Sequence, residues 1–371
     1  MMITTASTYQ DSKQHYPILD GLRGVAAIVV VLFHVLEIFS HGDHAKQLIN
    51  HGYLAVDFFF MLSGFVIGYA YDDRWSVMSY RSFAARRLIR LHPMIVFGML
   101  FGAALFYFQG GVLYPAINNI PVTEMLIILA IGVTLLPITP AMDIRGWAEM
   151  HPLNGPAWSL LLEYVGNVAY ALVLRHLPNR ALMALCVVGA GLLLHMSVSR
   201  GDLIGGWSFN AEQLRVGFTR LFFPFVAGLL LSRTMRIGDI KGAFGWASAI
   251  LVVVMSLPWI GPHDVKWMNG LYDAAVVILV FPVVLYIGAS GTLSGGSAKL
   301  SRWLGDISYP LYITHYPIMY VFMAWASEAE RSVAEILPVA GVAFVASLLV
   351  AQLSLSLYDI KVRAWLSEKF I

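Results

Sequence analysis

Runs of apolar residues separated by short polar stretches fill the chain from residue 18 to residue 356. They lie at about 18–39, 52–71, 92–110, 123–138, 157–174, 181–198, 219–232, 243–260, 270–289, 307–326 and 333–356. Runs of this length predict membrane-crossing helices, which need roughly 20 residues each, with about 17 as a lower limit. A transmembrane barrel would alternate apolar and polar positions, and no alternation is sustained. The fourth run, Thr123 to Ile138, and the seventh, Thr219 to Ser232, are the short ones. The first 17 residues are polar and hold no apolar signal-peptide core, so they are expected to form a short cytoplasmic tail. Residues 357–371 are expected to form a second one.

Loop charge decides which runs cross. With a cytoplasmic N-terminus and a fourth run that does not cross, the inner loops hold 16 of the 24 Lys and Arg and the outer loops six. If the fourth run crosses, the basic clusters at 233–241, 299–302 and 361–369 all move outside, against the positive-inside rule. The expectation is an all-α polytopic membrane protein of about ten transmembrane helices with both termini cytoplasmic. Its integral membrane domain covers 18–356. Residues 111–156 form an outer loop containing a re-entrant or interfacial helix near 123–138. Backbone of that kind is tolerated only against protein or a water-filled cavity.

Composition agrees. Of 371 residues, 58% are hydrophobic and 12% charged, against about 25% charged in soluble domains. That excludes an ordinary soluble enzyme and a disordered chain. A net charge of +2 gives no sign of nucleic-acid binding. One cysteine, Cys186, excludes a disulfide framework and a Cys-rich metal site, and no metal-binding motif is present.

The chemistry lies in polar residues inside the apolar runs, where ionisable groups are costly. Arg23 and His34 are eleven residues apart on the first run. That spacing puts them on one helix face, about 16 Å apart along the axis. On the second run Asp57 lies about 8 Å below the outer surface, the same depth as His34. Glu163, six residues into the fifth run, falls at a similar level. A neutral His beside a carboxylate is the pairing of a general base with its orienting group. Each residue alone also fits a packing or ion-pair role. Ser63, beside Gly64, fits either a polar site or close helix packing.

Arg86, Arg87 and Arg90 form one basic face on an inward helix leading to Pro93, which is read as the start of the third span. The face suits either anionic-lipid contact or a phosphate clamp for a nucleotide-bearing ligand. His315 lies near mid-membrane between Pro310 and Pro317, where it would line a pore or stiffen a kinked helix. His41, His44 and His51 are expected in a solvated outer loop.

Five motifs occur in order along the chain: Leu19-Asp20-Gly21-Leu22-Arg23-Gly24 with His34; Gly52 to Ile67; Arg87-Leu88-Ile89-Arg90 before His92-Pro93; Pro156-Ala157-Trp158-Ser159 with Glu163; and Leu304 to Pro317. Together the sequence resembles the acyltransferase family 3 membrane proteins. Two departures stand out: Ala55-Val56-Asp57 replaces a usual Gly-Val-Asp, and Glu163 is followed by Tyr164 rather than a second acid. The resemblance implies a bacterial inner-membrane O-acyltransferase moving an acyl group, usually acetyl, from acyl-CoA to a hydroxyl of a cell-surface or exported glycan or similar acceptor. Some relatives carry an appended esterase-like domain. No such domain is expected here, so the membrane part is expected to complete the transfer. No permanently bound cofactor is implied; acetyl-CoA is a donor substrate. His34 would be the base, oriented by Asp57 or Glu163, or the carrier of a covalent acyl group. Arg23, Ser63, Arg86, Arg87, Arg90 and His315 would line the donor path. The alternative, a transporter or flippase of a lipid-linked sugar, predicts an inverted repeat, and the sequence displays none.

Overall fold

The computed structural model describes residues 15–262 and 264–371, and every regular element among them is helical. The expected N-terminal tail therefore lies outside the described residues, apart from its last three. In chain order the helices are α1 (Pro17–Glu37), α2 (Ala55–Tyr71), α3 (Tyr80–Leu105), α4 (Val122–Gly132), α5 (Ala157–Leu172), α6 (Asn179–Arg200), α7 (Ala211–Thr234), α8 (Ala243–Ser256), α9 (Lys266–Ala275), α10 (Phe281–Ala289), α11 (Gly295–Ser327), α12 (Val333–Ser354) and α13 (Ile360–Phe370). A π-helical turn joins α9 to α10 at Val276–Val280, and another joins α12 to α13 at Leu355–Asp359. Among the described residues, eight helical segments are long and apolar enough to cross a membrane. The chain is a polytopic membrane protein.

The other two expected crossings are α11, 33 residues long with charged residues in its first half, and α8, which has 14 residues. At 1.5 Å per residue α8 extends only about 21 Å. The run at 123–138 yields the 11-residue α4, about 16 Å long and too short to cross. The run at 219–232 lengthens to the 24-residue α7, which starts at Ala211 and takes in the polar Glu212, Gln213 and Arg215; Arg220, inside the run, is neutralised within the bundle.

Two expectations, on Pro93 and His51, change, and the expected tail gains a helix. Pro93 lies inside α3 rather than at the start of a span: the helix begins after Ser79, whose hydroxyl caps the Ser82 N–H at 3.1 Å. Residues 360–370, expected in a tail, form α13. His51 is buried rather than solvated, with Nδ1 2.9 Å from Asp273 Oδ1.

Helix α1 packs along α11, and α2 along α7. Small residues permit both contacts, as expected where lipid supplies no hydrophobic drive between helices. A Cβ on Gly24 would overlap the Leu304 carbonyl, and one on Gly64 would overlap the Phe225 carbonyl. In α11, Pro317 cannot donate to the Ile313 carbonyl four residues back. Asn154 Nδ2 takes that place at 2.7 Å, pinning the outer loop to the helix.

Candidate active site

A cavity of about 740 Å³ opens among the first halves of α1, α3 and α11, the middle of α2 and the region where α12 passes into α13. The described N-terminal end and the last helix meet at it, since His15 and Arg363 both contribute to its wall. Deeper in, Val56, Phe59 and Phe60 make it apolar. At the far end Ser159 and Tyr312, on α5 and α11, hold each other with oxygens 2.7 Å apart.

The cavity's charges are mostly settled in pairs. Arg23 bonds to Asp20 one turn earlier, and Asp20 also meets His15 at 2.7 Å. Arg87 donates to Glu163 at 2.9 Å, and Ser63 Oγ donates to the same carboxylate oxygen at 2.9 Å. Ser63 is therefore a polar wall residue, and the packing role falls to its neighbour Gly64. Arg90 and Arg302 are exposed to this space and make no hydrogen bond or ion pair among the described residues.

His34 lies beyond the Ser159–Tyr312 end and is not part of the cavity wall. Its Nδ1 faces Glu37 Oε2 at 3.2 Å. An ionised carboxylate only accepts, so this contact places a proton on Nδ1; in the neutral ring the lone pair is then on Nε2. The ring stacks on His315, with centroids 5.5 Å apart and planes 28° from parallel, and meets Tyr316 edge-on at 4.7 Å. His315 is fully buried. Its Nδ1 lies 2.9 Å from the Tyr312 carbonyl and 3.1 Å from that of Leu311, while its Nε2 has no partner.

The three groups expected at one depth are thus not brought together. Asp57 is wholly buried against Arg220, which donates to it through Nη2 at 2.7 Å and through Nε at 3.2 Å. The same guanidinium donates to the carbonyls of Tyr53 and Gly205. An Asp saturated this way joins α2 to α7 and cannot orient His34. Glu163 is occupied on the cavity wall by Arg87 and Ser63. The carboxylate at His34 is Glu37, three residues on in the same helix, a spacing that puts the two side by side. Comparing depths across different spans does not reveal it; the spacing within one helix does. Arg86 lies outside the cavity, in a shallow groove beside it.

Over the His34 end sits the outer loop, built on a buried Arg145 and Glu149. Tyr320 donates to Glu149 at 2.6 Å, and the Arg145 guanidinium lies 3.4 Å above the Tyr320 ring. Burial pushes the Glu149 carboxyl up to about 7, against the opposing pull of Arg145 and the Tyr320 hydroxyl.

A family model described as "Acyltransferase domain" matches residues 16–355. A Rhizobium radiobacter protein called protein 2 in picA locus is 34% identical over 171 residues, 44% of this chain and 84% of that protein. Peptidoglycan O-acetyltransferase OatA of Listeria monocytogenes is 24% identical over 335 residues, 84% of this chain and 50% of OatA. O-acetyltransferase OatA of Staphylococcus aureus is 25% identical over 330 residues, 83% of this chain and 51% of that protein. The chain spans about half the length of the OatA relatives it matches. No solved structure matches.

Removing one partner of a buried ion pair costs about 3–5 kcal/mol, whereas an apolar replacement of both is often neutral. Arg220→Met and Asp57→Leu should each lower the apparent Tm in detergent sharply, and the double variant should recover much of the loss. Additive losses in the double variant would contradict the pairing. The Glu149 carboxyl, raised in the folded state from its ordinary 4.5 to about 7, holds a proton over that interval that the unfolded chain has already lost. Stability from this group therefore falls as pH rises through the interval. The drop in apparent Tm between pH 5 and pH 7 should shrink in Glu149→Gln; an unchanged drop would assign it to other groups.

Proposed function

The chain belongs to the acyltransferase domain family, and from that premise we propose that it is a bacterial inner-membrane O-acetyltransferase. It takes acetyl from acetyl-CoA on the cytoplasmic side and transfers it to a hydroxyl of a cell-surface or exported glycan on the other. The observation carrying this reading is the cavity. It has an arginine-rich mouth where Arg90 and Arg302 lack protein partners among the described residues, an apolar interior, and a far end directed toward His34. A polyanionic donor with a long neutral arm has matching chemistry: phosphates at the guanidiniums, arm among the apolar residues. The excess of Lys and Arg on the loops of the mouth's side supports a cytoplasmic mouth and cytoplasmic termini.

In this reading His34 is the general base. Glu37 holds its Nδ1–H, so Nε2 is turned to the acceptor hydroxyl. The hydroxyl oxygen attacks the thioester carbon as its proton passes to Nε2. The carbon–sulfur bond breaks, and the thiolate leaves through the donor cavity. Glu37 also offsets the charge that His34 gains. Ser159 and Tyr312 must part for the thioester to reach His34. Arg87, held by Glu163 and Ser63, and Arg23, held by Asp20, keep the wall polar along the donor's path. His315 supports the His34 ring from behind.

A positioned base typically contributes 10²–10⁴-fold in rate. His34→Ala should lose transfer of labelled acetyl from acetyl-CoA to envelope glycans by about that factor while staying folded and inserted. Wild-type-like transfer would end the mechanism. Movement of a sugar lipid without turnover of thioester would instead favour a transporter. For sidedness, Cys186 is first replaced by Ala. A cysteine in place of exposed Ala329, after α11, should then react with an impermeant thiol reagent on intact spheroplasts, and one in place of exposed Ala84, on α3, should not. The reverse pattern would overturn the orientation.

A further inference from the structure

Two hydroxyls close the far end of the main cavity. Ser159 is the third residue of α5, and Tyr312 meets it from α11 with oxygens 2.7 Å apart. Both are buried, and both belong to the cavity wall. The Pro156 carbonyl lies 3.0 Å from Ser159 Oγ and 3.3 Å from Tyr312 Oη. One hydroxyl therefore gives its proton to the other, and the remaining proton goes to that carbonyl. Three other wall hydroxyls have separate acceptors: Ser63 donates to Glu163, Ser308 to the Gly305 carbonyl and Tyr309 to the Leu91 carbonyl. A stronger acceptor at the cavity end would draw the Ser159 and Tyr312 protons without stripping a charged group of its partner.

The surroundings suit a negative oxygen. Ser159 lies in the first turn of α5, at the positive end of the helix dipole. Glu163, one turn further along α5, is neutralised by Arg87 at 2.9 Å. Tyr312 is held edge-on to Phe59 with ring centroids 5.4 Å apart. The His315 ring lies 6.0 Å from that of Tyr312 and 5.5 Å from that of His34. One buried imidazole thus contacts both the hydroxyl pair and the base proposed above. Acyl transfer develops negative charge on the carbonyl oxygen, and hydrogen-bond donors aimed at that oxygen lower its barrier.

We propose that Tyr312 and Ser159 are the oxyanion-binding pair of the transfer. This rests on the acyl-CoA reading above and adds two catalytic residues to it. As the acceptor oxygen bonds to the thioester carbon, its proton passes to His34 Nε2 and the carbonyl electron pair moves onto oxygen. The Tyr312 and Ser159 hydroxyls turn from each other and from the Pro156 carbonyl to donate to that oxygen. The pair then returns to carbon, the carbon–sulfur bond breaks and the thiolate leaves.

The test uses inverted membrane vesicles of the producing strain, which present the cytoplasmic face to labelled acetyl-CoA and enclose the envelope glycan. Tyr312→Phe keeps the ring that packs on Phe59. It should lower kcat by about 10²–10³-fold, the cost of one oxyanion donor, and leave KM for acetyl-CoA nearly unchanged, because the contact forms only in the transition state. Ser159→Ala should act in the same direction, and Ser159→Thr should recover much of the rate. Unchanged affinity for a thioether analogue of acetyl-CoA shows that each variant is folded. Dithioacetyl-CoA, with sulfur in place of the carbonyl oxygen, separates this role from packing. Sulfur is the weaker acceptor, so the oxygen-to-sulfur rate ratio should fall in Tyr312→Phe. An unchanged ratio, or a raised KM with unchanged kcat, would overturn the proposal. Faster acetyl-CoA hydrolysis without transfer would make the pair a barrier only and overturn it as well. If both variants keep wild-type kcat while His34→Ala is inactive, the oxyanion pair fails and the donor reading stands. If wild type does not bind the thioether analogue, the donor reading fails and this proposal with it.

Discussion

A charge placed among membrane spans must find a partner or water, and the bundle is arranged around that constraint. Asp57 and Arg220 neutralise each other between α2 and α7. Glu163 and Arg87 do so between α5 and α3, and Asp72 and Arg233 at the ends of α2 and α7. Small residues then let the paired helices approach to backbone contact, as at Gly64. With those pairs made, three guanidiniums without a hydrogen bond or ion pair among the described residues, Arg86, Arg90 and Arg302, line the cavity or the groove beside it. That surplus of positive charge is what the proposed donor reading rests on.

The end proposed as reactive is built on a different principle. His34 is oriented by a carboxylate on its own helix and backed by the buried ring of His315. The hydrogen-bonded pair Ser159 and Tyr312 stands between it and the cavity. An acyltransferase that draws donor and acceptor from opposite sides of a membrane must bring both to one carbon without opening a leak. A long arm threaded through a narrow apolar passage toward a single imidazole meets that requirement. The Arg145–Glu149 loop over the outer end limits what approaches from there.

The membrane class and most of the spans are legible in the sequence because apolar run length is set directly by bilayer thickness. The non-crossing fourth run can be read from loop charge. The seventh reads as short because Glu212, Gln213 and Arg215 make the start of its helix polar, and the partner that neutralises its Arg220 lies 163 residues away. Depth along a helix places Asp57, Glu163 and His34 at one level, but depth carries no information on azimuth or on which spans are neighbours. Asp57 in fact turns toward α7 and Glu163 toward α3. Glu37 is readable from its spacing to His34 but lies at the end of the run, where an acid looks like part of a loop. The basic face of α3 is visible; that Arg87 is spent on Glu163 and Arg86 lies outside the cavity depends on tertiary contacts. The contribution of α13 is hidden by the π turn, which shifts the face that periodicity would assign.

The central claim, that one cavity carries a phosphate-bearing donor toward His34, is tested most directly by a structure of the purified protein with an acetyl-CoA analogue whose thioester is replaced by a thioether. The account predicts phosphates beside Arg90, the arm running past Phe59 and Phe60, and the reactive carbon at the Ser159–Tyr312 end facing His34. An analogue bound outside the cavity, or one entering from the outer loop with its phosphates away from Arg90, would contradict it.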